Sequence, residues 1–460
     1  MPKLWFLSEN NDYQLEDDEK GNLSFMIIQK MKISASATYS SIRTGILSLT
    51  PGDQKCRLYC SGPRCRFCVV VTGQSEIQAI DGLYSTWITS DILAMARLQV
   101  EHFEKLDIIE KFRTNHIVSV INLQESGEHS FCGNGNLSSG FSYDPEKLMH
   151  GGMYHFNFPL PDFQACTPTR LLDIVKVVDF ALTLGKIAVH CHAGHGRTGM
   201  VIAGWMMFAM GMSPSQAVDT VRSRRAKAVQ SKEQVETLHK FRLLIRNNGG
   251  MIIPKQKMML ISEYVSYNQK FLCKPESRLY GKVPKIVYTA MRITLQKMYS
   301  SVSFEIEDDY RLTIRCGNPL PENKSLDEQL LDAQLNDEGH EKTQFWYSDQ
   351  VKNGLTISTI HRQLQNEDFR DILRLLDLFF HSTFHQLTHK EEIYAVLHNW
   401  DQVEKDWSPT FWFLLKCIRE MPRPLHLALS RLVAKWFLRS EVDLAPRIQQ
   451  ILSPPVSSNE

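Results

Sequence analysis

Residues 186–212 of this chain read KIAVHCHAGHGRTGMVIAGWMMFAMGM. The stretch opens with Ile187-Ala188-Val189, a short apolar run of the kind that forms a buried strand. It closes with the longer apolar run Val201–Phe208, which predicts a buried helix. Between the two runs lie a cysteine, a loop rich in glycine and an arginine, so the sequence predicts a strand that leads through a loop into a helix N-terminus.

A loop of this kind is a ready anion site, because its backbone N–H groups converge and the helix dipole adds positive charge. Gly194 and Gly196 allow the backbone to turn its amides inward. Cys191 opens the loop, where the same field favours a thiolate. Arg197 closes it with a planar fork suited to two phosphate oxygens. A thiolate beneath a bound phosphate predicts phosphoryl transfer to sulfur.

Composition restricts the class of protein. The chain has 460 residues, 43% of them hydrophobic and 22% charged, as in folded globular domains. A net charge of +1 provides no overall field toward nucleic acid, which is not expected as a partner. The N-terminus does not resemble a secretory signal, and no apolar run approaches the roughly 20 residues of a membrane helix. Ten cysteines in such a chain predict reduced thiols and a cytoplasmic location.

The pattern of elements predicts an α/β fold with a central, mostly parallel sheet flanked by helices and a helical C-terminal extension. His116–Leu123 and Tyr154–Phe158 read as strands, and Ile92–Ala96 reads as the start of a helix. Capping signals at Thr167, Ser213 and Ser231 each begin a helix. Five segments are expected: a partly ordered N-terminal segment (1–75), a catalytic domain (76–248), a helical extension (249–300), an acidic linker (301–350) and a helical C-terminal region (351–460).

Four cysteines at positions 56, 60, 65 and 68 lie among basic residues in the N-terminal segment. Four thiolates can complete a tetrahedron around zinc. The spacing is tighter than in common zinc ribbons, so a basic loop with free thiols is the favoured interpretation. No cofactor or metal is predicted for the catalytic site.

The run His190–Gly199 resembles the His-Cys-x5-Arg-Ser/Thr signature of the cysteine-based protein tyrosine phosphatases of the dual-specificity type. The resemblance extends over residues 79–245, including Ile121–Gln124 and Gly127-Glu128-His129, to the branch related to the cell-division-cycle phosphatases. It implies a metal-independent phosphatase that hydrolyses phosphotyrosine, and phosphoserine or phosphothreonine as well, through a cysteinyl-phosphate. That branch is linked to cilia and centrosomes, which is an expectation from the resemblance alone.

The resemblance also assigns roles. Cys191 is the expected nucleophile and Arg197 the expected phosphate ligand. Asp162, in a proline-flanked loop, is the expected general acid. Asp144, too far back in the chain, and Asp173, inside a predicted helix, are the weaker alternatives. Thr198 is expected to donate to the Cys191 sulfur. The residues expected to bind substrate are His192, Ala193, Gly194, His195, Gly196 and Gln230.

Two alternatives stay open. The basic cluster Arg222, Arg224, Arg225 and Lys227 favours a phosphoinositide substrate, although it also suits a helix C-terminus. The domain could instead be a phosphoprotein-binding module with little turnover, and the helical C-terminal region could bind a protein partner.

Overall fold

In the computed structural model, the described residues are 60–68, 78–248, 259–306, 312–320, 364–384 and 409–438, together with single positions at 46, 50, 51, 54, 56, 57, 73, 361 and 448. Most of the predicted N-terminal segment and of the predicted acidic linker lies outside these residues. No helix among the described residues is long and apolar enough to cross a membrane.

A five-stranded sheet forms the centre of the first half of the chain. Its strands are β1 (Ser85–Trp87), β2 (Ile92–Met95), β3 (Ile117–Asn122), β4 (Tyr154–Asn157) and β5 (Lys186–His190). They lie in the order β1-β2-β5-β3-β4, and every pairing except β1 with β2 is parallel. The predicted mostly parallel sheet is thus confirmed, and β5 lies at its centre.

Successive side chains of the central strands point to opposite faces of the sheet, and each face has its own hydrophobic core. Ile92, Ala94, Ile187 and Val189 face one core, while their neighbours, among them Leu93 and Ala188, face the other. The side chains named are buried almost completely in both cores. A strand buried on both faces reads as a continuous apolar run, which is why β5 was recognisable in the sequence.

Helices cover both faces of the sheet. The helices α1 (Val100–Glu104), α2 (Ile108–Thr114) and α3 (Pro145–His150) belong to one side. The other side carries α4 (Pro168–Leu184), α5 (Gly196–Ala209), α6 (Pro214–Arg224) and α7 (Lys232–Asn248). The predicted caps form: Thr167 accepts from the Arg170 amide, and Ser213 with Gln216 completes a capping box. Ser231 and Gln234 form a second capping box, in which the amide of each residue donates to the side-chain oxygen of the other.

The expected helix at Ile92–Ala96 is wrong, because Ile92–Met95 forms β2. Five apolar residues fit a buried strand as well as a buried helix turn, so the run itself does not distinguish them. The distinction comes from pairing: β2 lies between β1 and β5, with Ala94 opposite Val189.

A third hydrophobic core joins helices from two separate parts of the chain. It contains α8 (Ile261–Gln269), α9 (Lys274–Tyr280) and α10 (Lys285–Met298), together with α11 (Phe369–Thr383), α12 (Pro409–Glu420) and α13 (His426–Leu438). An antiparallel hairpin of β6 (Val302–Ile306) and β7 (Leu312–Cys316) packs against it. This hairpin is absent from the predicted elements and occupies the start of the expected acidic linker.

Candidate active site

Cys191 lies between the end of β5 and the first turn of α5, at the carboxyl edge of the sheet. Its side chain is buried. Gly194 has φ +68°, and a Cβ there would collide with the carbonyl group of Met95. The loop therefore folds tightly over the end of β2, with its amides at the N-terminus of α5, where an anion is stabilised.

Glu128 fixes the position of Arg197 through a bidentate ion pair. Both terminal nitrogens of Arg197 lie 2.7 Å from the carboxylate oxygens of Glu128, and Nη1 also donates to the Leu160 carbonyl at 2.8 Å. Arg197 is 1% exposed. Burial alone would lower the pKa of Arg197, but Glu128 and Asp162 hold it well above its usual value. The guanidinium is therefore a fixed positive charge at the loop.

Asp162 lies at the same guanidinium. Its Oδ1 is 2.8 Å from Nη2 of Arg197, and its Oδ2 is 2.9 Å from Nε2 of His129. Burial by itself would raise the pKa of Asp162, but Arg197 and His129 hold it well below its usual range. The next residue, Phe163, has φ +62°, which is rare for an aromatic residue. The loop after β4 is thus strained where it delivers the carboxylate.

Two buried groups of hydrogen bonds stabilise the loop and the end of β5. Arg225 donates to the carbonyls of Ala193 (2.9 Å) and Gly194 (2.6 Å), and to Oγ1 of Thr86 (2.8 Å). The Tyr143 hydroxyl lies 2.9 Å from Nε2 of His190. Burial lowers the pKa of His190 to about 3, so the ring is neutral and orders the loop.

The other residues predicted for the site lie in or beside the catalytic loop, but one predicted contact does not form. Ala193 lies in the loop and Gly196 at the start of α5, as expected. His195 is the N-cap residue of α5 without a capping bond from its side chain, and burial lowers the pKa of its ring to about 3. Gln230 and Gln234 lie against Gly196. Thr198 is buried, and its Oγ1 forms no hydrogen bond within the described part of the chain, so the predicted bond to the Cys191 sulfur is not present in this structure.

A small cavity of about 160 Å³ opens above Cys191. Part of its wall comes from the N-terminal segment, through Cys60, Arg66 and Phe67. Phe67 lies 5.7 Å from the ring of His195 and 5.2 Å from that of Tyr84, measured between centroids. The N-terminal segment is therefore part of the site, which the sequence analysis did not predict.

His192 has an unexpected environment. Its ring stacks on that of His129 with 3.7 Å between centroids, and its side chain faces buried cysteines. Five cysteines, Cys56, Cys60, Cys65, Cys68 and Cys132, form one buried cluster there, with no disulfide among them. Together with His129 and His192, these cysteines could hold a metal, and Glu128, His129 and Asp162 form another candidate group. The four N-terminal thiols are free, as in the favoured interpretation, and the segment packs them inward against the catalytic loop.

Glu128, His129 and Cys132 have no predicted role, and Arg225 is predicted only as part of a basic cluster that suits either a phosphoinositide or a helix C-terminus. Glu128 and His129 lie in the stretch that carries the family resemblance, so a signal for them was present. Cys132 had no such signal.

Residues 104–243 match the family described as "Dual specificity phosphatase, catalytic domain". The chain contains a phosphatase domain of the dual-specificity type. It is 36% identical over 300 residues to protein tyrosine phosphatase domain-containing protein 1 of Bos taurus, covering 64% of this chain and 38% of that protein. It is 38% identical over 261 residues to the protein of the same name from Mus musculus, and that match covers 56% of this chain and 35% of the mouse protein. The chain thus matches little more than a third of the length of these relatives.

Among solved structures, the phosphatase domain resembles Tk-PTP in its active form, with 26% identity and a TM-score of 0.29. That match covers 35% of this chain and 96% of Tk-PTP.

Proposed function

We propose that this domain, placed at residues 76–248, hydrolyses phosphate monoesters on proteins through a cysteinyl-phosphate intermediate. The observation that supports this most directly is the position of Cys191 at the base of an amide-lined loop, beside a guanidinium that Glu128 fixes at 2.7 Å. Phosphate oxygens would bind the loop amides and Arg197. These groups stabilise the charge that grows on the oxygens during transfer.

The reaction has two steps. In the first, the Cys191 thiolate attacks phosphorus, the bond to the substrate oxygen breaks, and Asp162 gives its proton to the leaving oxygen. In the second, water attacks phosphorus, Asp162 takes back a proton, and the thiolate leaves with its electron pair. Gln230 and Gln234, against Gly196, lie where they can orient that water.

Asp162 has to be protonated for the first step, yet its carboxylate pairs with Arg197 in this structure. A bound phosphate dianion competes for the same guanidinium nitrogen. Its negative charge also disfavours the ionised carboxylate nearby. Substrate binding therefore releases Asp162 from Arg197 and favours the acid form.

The substrate class is proposed to be phosphorylated protein, with phosphotyrosine first and phosphoserine or phosphothreonine also accepted. Two of the four basic residues that favoured a phosphoinositide are engaged internally: Arg222 donates to the carbonyls of Ala228 and Val229, and Arg225 braces the loop. Cytoplasmic location, association with cilia or centrosomes, and a protein partner for the C-terminal helices stay predictions.

The test compares the wild type with Cys191→Ser, Asp162→Asn and the control Asp173→Asn. Asp173 is an exposed residue of α4, so its substitution should leave activity unchanged. Cys191→Ser should abolish hydrolysis of an aryl phosphate, and Asp162→Asn should lower kcat by roughly 10²–10⁴-fold. Phosphotyrosine peptides, phosphoserine peptides and phosphoinositide vesicles then rank the substrates. A reduced wild type that binds phosphopeptide without hydrolysing it would instead support the binding module.

A further inference from the structure

Seven metal-binding side chains converge beside the active-site loop. They come from three separate parts of the chain: the N-terminal segment, the turn after β3 and the catalytic loop. All are at most 9% exposed. They are Cys56, Cys60, Cys65, Cys68, His129, Cys132 and His192.

The sulfur-to-nitrogen distances within the first half of this cluster lie near those of a tetrahedral zinc site. The sulfur atoms of Cys56, Cys60 and Cys132 lie 3.6, 3.9 and 3.5 Å from Nδ1 of His129. Around zinc, with Zn–S of about 2.3 Å and Zn–N of about 2.0 Å, tetrahedral angles separate sulfur from nitrogen by about 3.5 Å. Three cysteines and one histidine make a closed site of the structural type.

The second half of the cluster offers three more ligands. The sulfur atoms of Cys65 and Cys68 lie 3.6 and 3.7 Å from Nε2 of His192. Together these three supply three of the four positions of a second tetrahedral site. The Cys60 sulfur lies 3.9 Å from the other ring nitrogen of His192, Nδ1, so this ring lies between the two halves of the cluster.

The surroundings suit a thiolate–metal centre. Arg97 is fully buried and donates to the carbonyls of His129 (3.0 Å) and Cys132 (2.8 Å). It therefore fixes the turn that supplies both ligands, and its charge offsets the negative charge of several thiolates. Mixed sulfur and imidazole ligands in tetrahedral positions favour zinc over the oxygen-seeking cations.

We propose that this cluster binds zinc, with Cys56, Cys60, Cys132 and His129 as the ligands of the first ion. The ion is structural and lies outside the reaction. It attaches the N-terminal segment to the phosphatase domain, and so forms the wall of the cavity that carries Arg66 and Phe67.

The site also reaches the proposed general acid. A histidine that ligates metal through one ring nitrogen commonly donates the other N–H to a carboxylate, which fixes the orientation of both. Nε2 of His129 lies 2.9 Å from Oδ2 of Asp162 in this manner. His129 is therefore a positioning residue, and His192, next to Cys191, connects the second half of the cluster to the catalytic loop.

The test is the metal content of the full chain, purified under reducing conditions without an affinity tag that binds metal. Elemental analysis should find at least one zinc per chain after dialysis against metal-free buffer. Replacement by Co²⁺ should give the thiolate charge-transfer band and the intense visible bands of tetrahedral cobalt. Neither readout depends on the proposed reaction, so a failure of the phosphatase assignment would leave them intact.

Cys132→Ser should lose most of the zinc, whereas the matched control Cys316→Ser, in β7 and outside the cluster, should retain it. A wild type with less than a tenth of an equivalent of zinc would overturn the proposal, as would equal zinc in the two variants. Iron with a visible chromophore, or disulfides among the five cysteines of reduced-cell protein, would overturn it as well. Because the wild-type measurement stands alone, a variant that fails to fold does not remove the test.

Discussion

Each carboxylate oxygen of Glu128 lies 2.7 Å from a different terminal nitrogen of Arg197, so the two side chains meet fork to fork. The contact is nearly closed to solvent, with the Arg197 side chain 1% and the Glu128 side chain 10% exposed. A bidentate pair fixes the plane of the guanidinium as well as its position. The guanidinium is therefore held in one orientation before any substrate binds.

Glu128→Gln should lower kcat/KM for an aryl phosphate at least tenfold, or about 1.4 kcal/mol. The amide can accept one hydrogen bond from Arg197 but cannot neutralise it, so the guanidinium loses its fixed orientation. The unfolding free energy should fall by roughly 2 kcal/mol, because a buried charge loses part of its compensation. Glu125→Gln, at an exposed position of the same loop, is the control. Equal kinetics for the two variants would remove Glu128 from the site.

Arg225→Lys should raise KM and lower kcat, although Arg225 does not line the cavity. The substitution removes the forked contacts to the carbonyls of Ala193 and Gly194, and a lysine cannot reproduce them. Losing hydrogen bonds to a buried charged group should cost roughly 3 kcal/mol of stability. Arg224→Lys is the matched control, since the neighbouring side chain is exposed. Steady-state kinetics and urea unfolding check both effects, and a normal Arg225→Lys enzyme would contradict the bracing role.

The parts of the fold that depend on local chemistry were predictable. The run around Cys191 gave the strand, the loop and the helix, because each has its own local signal: an apolar run, glycines and a helix N-terminus. The capping boxes at Ser213 and Ser231 formed as their sequences indicated. Ile92–Met95 was misjudged because only its neighbours in the sheet determine that it is a strand.

The surroundings of the site depend on contacts between residues that are far apart in sequence. Local sequence patterns therefore do not predict them. Cys132 is far in sequence from Cys60, and no spacing rule joins a cysteine in an N-terminal segment to one in a loop after β3. Arg225 belongs to a basic run that suits a solvated helix end, yet its side chain is 3% exposed. Such contacts become visible only when the chain is folded.

His102 should make the protein less stable in acid. Burial lowers the pKa of this histidine to about 4 in the folded state, against 6.5 when it is free. The unfolded chain therefore binds a proton first, and stability that is present above pH 6.5 is lost as the pH falls toward 4. The full loss amounts to about 3 kcal/mol. Urea unfolding between pH 4 and 7 should show a flatter pH dependence for His102→Gln, whereas His150→Gln, at an exposed position, should follow the wild type. A parallel pH dependence in all three would contradict the assignment.

A comparison of Gly194→Ala with Gly211→Ala distinguishes the effect of backbone strain from that of a steric collision. Both glycines have positive φ, +68° and +71°, so alanine should cost about 1–2 kcal/mol at either position through strain alone. Around Gly211 there is open space, whereas a Cβ at Gly194 collides with the backbone of Met95 in β2. A backbone carbonyl in a central strand cannot move aside, so the catalytic loop must shift instead. Gly194→Ala should therefore lose nearly all hydrolysis and bind phosphate weakly, while Gly211→Ala keeps full activity with a small fall in Tm. If the two variants matched in kcat and Tm, the close approach of the loop to β2 would not matter for the site.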